Sequence, residues 1–342
     1  MIVTTGQHSY EFTATVGDHI ELRIADTGPT AFSPRIELRS PSDLLIATDA
    51  DCCVAEIAHD VAETGTFSVL VEDNFSAGGS YTLYYARIPG ANEHGSLIND
   101  GVHSETIDLG DLDSYTLTAS IGDHIELRLA EINTTTLSPQ LALYAPSGAL
   151  IAIHADCCVA KIAHTAAEPG TFTVLIKDGQ QNSRGFGDYN LYFARIPGAN
   201  EHGPLTDGIA HPGTIDLGDL DTFTLVAAMG ETISLELEKT SGTWSGRLEL
   251  YDPSGAFIAL AQDSGTAFLD ELAAESGTYT VLVKDGTQAP RFFGDYILTC
   301  TAGCHATAVP TIPLRLLPLL AAAIAWTGFR RAASMAHHAA AE

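Results

Sequence analysis

The chain has 342 residues, with 16 Lys and Arg against 43 Asp and Glu and a formal net charge of −27. That length predicts two or three domains, each able to bury a core, and a hydrophobic content of 45% excludes wholesale disorder. The acidic excess excludes nonspecific nucleic-acid binding, which needs Lys and Arg in surplus; a Lys-poor acidic surface suits a salty or calcium-rich exterior.

Met1 is followed by no basic n-region and no apolar h-region, and it aligns with Thr106, inside a later first strand. The expectation is a start truncated at a domain edge, with a signal peptide or further repeats upstream. Next comes Gly17-Asp18-His19-Ile20-Glu21-Leu22-Arg23, where Ile20, Leu22 and Ile24 alternate with Glu21 and Arg23. That period of two predicts a strand, and the repeated His19 and His124, alternating with core residues, are expected to face solvent. Pro41-Ser42-Asp43 is a turn signal, and Phe67, Val69 and Val71 mark another strand. The segments from Pro89 to Ser104 and from Pro197 to His211 contain Pro, Gly, Asn and His with little apolar periodicity, which predicts flexible linkers stiffened at their starts.

The chain then repeats itself. Gly17 to Arg23 recurs unchanged at Gly122 to Arg128, and 34 of 57 positions are identical between 17–73 and 122–178. Ala50 to Ala55, containing Asp51-Cys52-Cys53, recurs at Ala155 to Ala160. Ala86 to Gly95 recurs at Ala194 to Gly203, and Asp108 to Asp113 recurs at Asp216 to Asp221. A third, more divergent unit follows, with Gly230 to Glu236 in place of the first motif. A period of about 105 residues is domain-sized and points to duplication within the gene. The expected domains are 1–88, 105–196 and 212–304. Short strands with Gly, Pro and Asp turns predict an all-β fold of three tandem jelly-roll-like β-sandwiches, each of seven or eight strands.

The unit runs from "DLGDLDSYTLTASIGDHIELRLA" through "LSPQLALYAPSGALIA" and "AEPGTFTVLIKD" to "GDYNLYFA". It resembles the bacterial pre-peptidase C-terminal (PPC) domain, three times over. The resemblance implies a sandwich fold and an accessory, binding or spacer role without catalysis. No peptidase domain accompanies the repeats in this sequence.

After Cys304 the composition changes. An apolar segment over 309–331 begins with Val309-Pro310-Thr311-Ile312-Pro313 and ends at Arg330-Arg331. Its length and basic end predict one C-terminal transmembrane or sorting helix, with the repeats on the noncytoplasmic side. The order of short Pro motif, apolar span and Arg pair resembles the PEP-CTERM-like sorting signals, which implies a bacterial exported protein anchored at the cell surface and a membrane sorting protease as partner. Two Arg make a small basic cluster, and further residues follow it.

Six cysteines, Cys52, Cys53, Cys157, Cys158, Cys300 and Cys304, are an even number, and in an exported chain they are disulfide candidates. Adjacent cysteines can close a strained ring or reach other strands. The rival is zinc at Asp51, Cys52, Cys53 and His59, or at His154, Asp156, Cys157, Cys158 and His164; adjacent cysteines on a strand point apart and suit it poorly. Asp111, Asp113, Asp219 and Asp221 are weak calcium candidates, as carboxylates on one loop, without a full calcium-binding loop motif. No other cofactor is expected. Neither a nucleophile elbow, a zinc-protease helix nor a phosphate loop occurs, so the chain is expected not to be an enzyme. These features predict a noncatalytic surface protein in adhesion, matrix or envelope interactions, with a polysaccharide or surface protein as ligand. The alternatives are an accessory binding module detached from a secreted hydrolase, and a calcium-stabilised binding module.

Overall fold

Alternating runs separated by Pro, Gly and Asp turns fold as antiparallel strands, as their period requires. The structure is a computed structural model that describes residues 2–3, 6–28, 32–75, 78–132, 136–180, 185–287 and 293–305. The expected C-terminal helix, with Val309, Pro310, Arg330 and Arg331, lies outside the described residues. Among the described residues, no helix is long and apolar enough to cross a membrane.

In the first repeat, β1 (Ile2–Val3), β8 (Gly79–Ile88), β3 (His19–Asp26) and β6 (Val54–Asp60) form one sheet in that order. The other sheet is β2 (His8–Ala14), β7 (Gly65–Asp73), β4 (Pro34–Arg39) and β5 (Leu45–Ala50). The second repeat has β9 (Gly101–Ile107), β16 (Gly187–Ile196), β11 (His124–Glu131) and β14 (Val159–Thr165) in one sheet. Its other sheet is β10 (Asp113–Ala119), β15 (Gly170–Asp178), β12 (Pro139–Tyr144) and β13 (Leu150–Ala155). The third has β17 (Ala210–Ile215), β24 (Gly294–Ala302), β19 (Thr232–Lys239) and β22 (Thr266–Leu272), facing β18 (Leu220–Ala227), β23 (Gly277–Asp285), β20 (Gly246–Tyr251) and β21 (Phe257–Asp263). Eight strands in the order 1-8-3-6 against 2-7-4-5 make a jelly roll.

Each sandwich closes on its own core. Ile20, Leu22 and Ile24 meet Phe67, Val69 and Val71; Ile125, Leu127 and Leu129 meet Phe172, Val174 and Ile176; Ile233, Leu235 and Leu237 meet Tyr279, Val281 and Val283. Each such buried side chain contributes roughly 1.5–3 kcal/mol.

The outer faces tell the repeats apart. β3 and β11 are buried on both faces, whereas β19 alternates between buried and accessible residues. β15 and β23 are likewise buried on both faces, whereas β7 alternates. The outer face of the β1-β8-β3-β6 sheet therefore packs on the outer face of the β10-β15-β12-β13 sheet. The β9-β16-β11-β14 sheet packs in the same way on β18-β23-β20-β21. The six sheets stack in series, with apolar layers inside repeats and mixed layers between them.

Candidate functional site: the joints between repeats

Every motif that occurs twice in the sequence meets at one of the two joints. At the first, Glu21 and Arg23 leave β3 on the side opposite the core. Lys177 of the second repeat places its Nζ 2.6 Å from Glu21 Oε2 and 2.5 Å from Glu56 Oε1. Arg23 Nε lies 3.1 Å from Glu56 Oε2, and its guanidinium donates to the carbonyl oxygens of Asp111 and Asp178. At the second joint, Lys284 Nζ lies 2.9 Å from Glu126 Oε1 and 3.0 Å from Glu249 Oε2, while Arg128 donates to the carbonyl of Asp285. All of these charges but the partly exposed Glu56 are buried, so each depends on its partners. Burial opposes ionisation of Glu126, but Lys284, His124 and Arg128 outweigh it and hold its carboxyl well below the usual range. In Glu21, burial is likewise outweighed, by His19 and Lys177.

The two joints balance charge differently. At one aligned pair of positions the first joint has Glu56 and Ala142, and the second has Lys161 and Glu249. The acid has crossed from the preceding repeat to the following one. Lys161 Nζ donates instead to the carbonyl of Thr287.

His19 and His124 do not face solvent as expected. Their rings lie 5.2 Å from Tyr144 and 5.0 Å from Tyr251 of the following repeat, with 15% and 14% of each side chain exposed. The partner repeat supplies the second buried face, which a single-strand reading does not see.

The linkers are also pinned, contrary to expectation. His94 N donates to Ser114 O, Leu97 N to Thr116 O, and Thr116 N to Gly95 O. His202, Leu205 and Gly203 repeat this pattern on Thr222 and Thr224. A polar sequence is compatible with order here because β10 and β18 offer free edges. Both Ile88–Pro89 and Ile196–Pro197 are cis. A Cβ on Gly148 would lie 2.9 Å from Pro89 Cδ, and one on Gly255 would lie 2.5 Å from Pro197 Cδ, so the linker starts press on the next repeat's turn.

The Asp-rich loops are docking loops. Gly110 has φ +79° and a Cβ there would lie 2.7 Å from Ala25 Cβ; Gly218 has φ +83° and a Cβ would lie 2.9 Å from Ala130 Cβ. Glycine alone allows both the turn and the approach. Asp111 and Asp219 accept from the backbone N–H of Leu112 and Leu220. Asp113 accepts from Tyr189 Oη at 2.6 Å and lies 3.2 Å from His94 Nε2; burial pushes its carboxyl up to about 6. Asp221 has the same arrangement with Tyr296 and His202.

Among the described residues, three groups bring three ligating side chains together: Glu93, His94 and Asp113; Glu201, His202 and Asp221; and Asp207, Cys300 and Cys304. The calcium candidates Asp113 and Asp221 thus fall beside a histidine, while Asp111 and Asp219 lie outside the groups. An imidazole donor suits a transition metal better than calcium. The residues around the two vicinal cysteine pairs form no such group.

Cys300 and Cys304 are joined in a disulfide in the third repeat. Cys52 and Cys53 are unbridged with their Sγ atoms 2.8 Å apart, and so are Cys157 and Cys158. Both pairs occupy the turn before β6 or β14, and Cys158 belongs to the cluster at the second joint.

No protein-family model matches the chain, and no curated protein matches it. Among solved structures, the pre-peptidase C-terminal domain of a Bacillus anthracis collagenase is similar to it at 17% identity, covering 30% of this chain and 95% of that one, with a TM-score of 0.26. Tripeptidyl peptidase 2 is similar at 10% identity over 87% of this chain and 34% of that one, with a TM-score of 0.22.

Proposed function

We propose that this chain is a noncatalytic strut: three sandwiches locked in series, exported and anchored at a bacterial surface by its tail, acting in adhesion, matrix or envelope interactions. The supporting observation is the set of buried ion pairs that welds each repeat to the next. Flexible tethers need no such joints, whereas a spacer of defined length does. The tail from Val309 onward would enter the membrane or be cut by a sorting protease, and a polysaccharide or surface protein would be the ligand. Spin labels on noncanonical residues at Asp43 and Asp270, near opposite ends of the stack, test the strut. A single narrow distance distribution is expected; a broad one refutes it. Deleting 309–342 should release the protein from the membrane fraction of a host that exports it.

A further inference from the structure

The fold has no use of its own for the two vicinal cysteine pairs. Each pair lies in the turn before β6 or β14, and the third repeat builds the same turn from Ser264 and Gly265. A backbone anchor is shared by all three turns: Cys53 O accepts from Asp26 N, Cys158 O from Glu131 N, and Gly265 O from Lys239 N. The thiols are therefore not what closes the turn.

What the pairs do reach is the joint. In each pair the first cysteine is exposed and the second lies further in. The second is followed by Val54 or Val159, which lie against the docking loops. A Cβ on Gly110 would sit 3.6 Å from Val54 Cγ1, and one on Gly218 would sit 3.5 Å from Val159 Cγ1. Cys158 itself is buried in the apolar layer of the second joint, with Ala130, Val159 and, from the third repeat, Leu220. Each pair thus runs from water to the joint, with its two Sγ atoms 2.8 Å apart.

We infer that each vicinal pair is a redox-modification site that sets the grip of the joint beside it. Its reactant is a mild two-electron oxidant, an azodicarboxamide or a small-molecule disulfide. A bond forms between the two Sγ atoms, and both thiol hydrogens pass to the oxidant. The N=N bond of an azodicarboxamide becomes a hydrazine; the S–S bond of a disulfide breaks into two thiols. The cysteine sulfurs are oxidised, the reagent is reduced, and a dithiol reverses the step. Closure draws Cys158 Sγ toward the exposed Cys157, out of the layer it shares with Leu220, and turns the residue whose carbonyl holds Glu131 N. A close-packed layer that loses contacts is weakened, so the closed pair is the loose joint. The inference rests on the joints of the strut, not on its place at a surface, and makes their stiffness adjustable.

The full chain and its Cys52→Ser, Cys157→Ser double variant are treated alike with diamide, an azodicarboxamide, and followed by backbone hydrogen exchange. Ser264 holds the equivalent place in the third repeat, so the variant keeps the turn, and Cys300–Cys304 stays closed in both. Peptide mapping should find each native pair two hydrogens lighter. Exchange at Asp26, Glu131 and the loops around Gly110 and Gly218 should then run at least about tenfold faster than in the variant, with Lys239 unchanged. Closed pairs with equal or slower exchange at these sites would overturn the inference. So would pairs that stay open under excess diamide, or equal acceleration at Lys239. With Cys52→Ser alone, only Glu131 and the Gly218 loop should speed up. Joints that exchange fast already in the double variant would sink the strut and this control together, whereas protected joints that ignore closure would sink the control alone.

Discussion

Glu126 and Ser234 hold equivalent places on β11 and β19, yet only Glu126 meets a following repeat. Glu126→Ala leaves Lys284 and Arg128 buried beside an emptied site and should cost about 3–5 kcal/mol in denaturant unfolding. Ser234→Ala should stay within about 0.5 kcal/mol. The ionisable groups also set opposite pH slopes. Glu21, Glu126 and Glu249 have lowered folded pKa values, so their stabilisation is present above the unfolded carboxylate range and is lost as pH falls through the folded values. Burial pushes Asp113 and Asp219 up to about 6 and Glu201 up to about 7, so the folded state keeps their protons and stability falls as pH rises from the unfolded carboxylate range toward those values. The urea midpoint should therefore be highest near about pH 4–5, and Asp113→Asn with Asp219→Asn and Glu201→Gln should flatten its decline toward neutrality. The vicinal thiols give a separate readout. Cys53 and Asp51 push the Cys52 thiol up to about 12, and Cys158, burial and Asp156 do the same for Cys157. Reaction of each pair with a small-molecule disulfide should yield a peptide two hydrogens lighter and two reagent thiols, faster at higher pH; mixed disulfides as final products would contradict this.

At the scale of the strand, the Glu56/Ala142 and Lys161/Glu249 exchange predicts a coupled pair. Glu56→Lys should destabilise the first joint, and Ala142→Glu should recover it, with a coupling of about 1–3 kcal/mol in a double-mutant cycle. The strands themselves were legible because Ile20, Leu22 and Ile24 recur at period two. What they pack against was not. Glu21, Arg23 and His19 carry the pattern of a solvated face, and a second sheet turned that face inward. The linkers misled for a related reason: His94 and Leu97 lack periodicity, because their partners Ser114 and Thr116 lie on another strand. Copy number was the signal that would have found the joints. Each of the four shared motifs occurs twice among three repeats, matching two joints rather than three domains.

The stack of three repeats differs at its two ends. The outer face of the first repeat neutralises itself, with Arg35 between Glu72 and Glu37, and Arg39 between Glu37 and Asp43. The outer face of the last repeat substitutes Ser234 and Glu236 for the Glu and Arg of the joints, and exposes Phe268 and Leu272. Among the described residues, only the middle repeat carries a docking set on both sides. Length is therefore a heritable variable: copying 94–201 once more in frame adds a storey without designing a new contact, provided one acid accompanies Lys161. With Ala142→Glu in the inserted copy, small-angle scattering should show the longest dimension growing by about 20 Å, two sheet spacings. Without that change, the new floor would set Lys161, Arg128 and Lys177 against Glu126 alone, and the taller tower should lean.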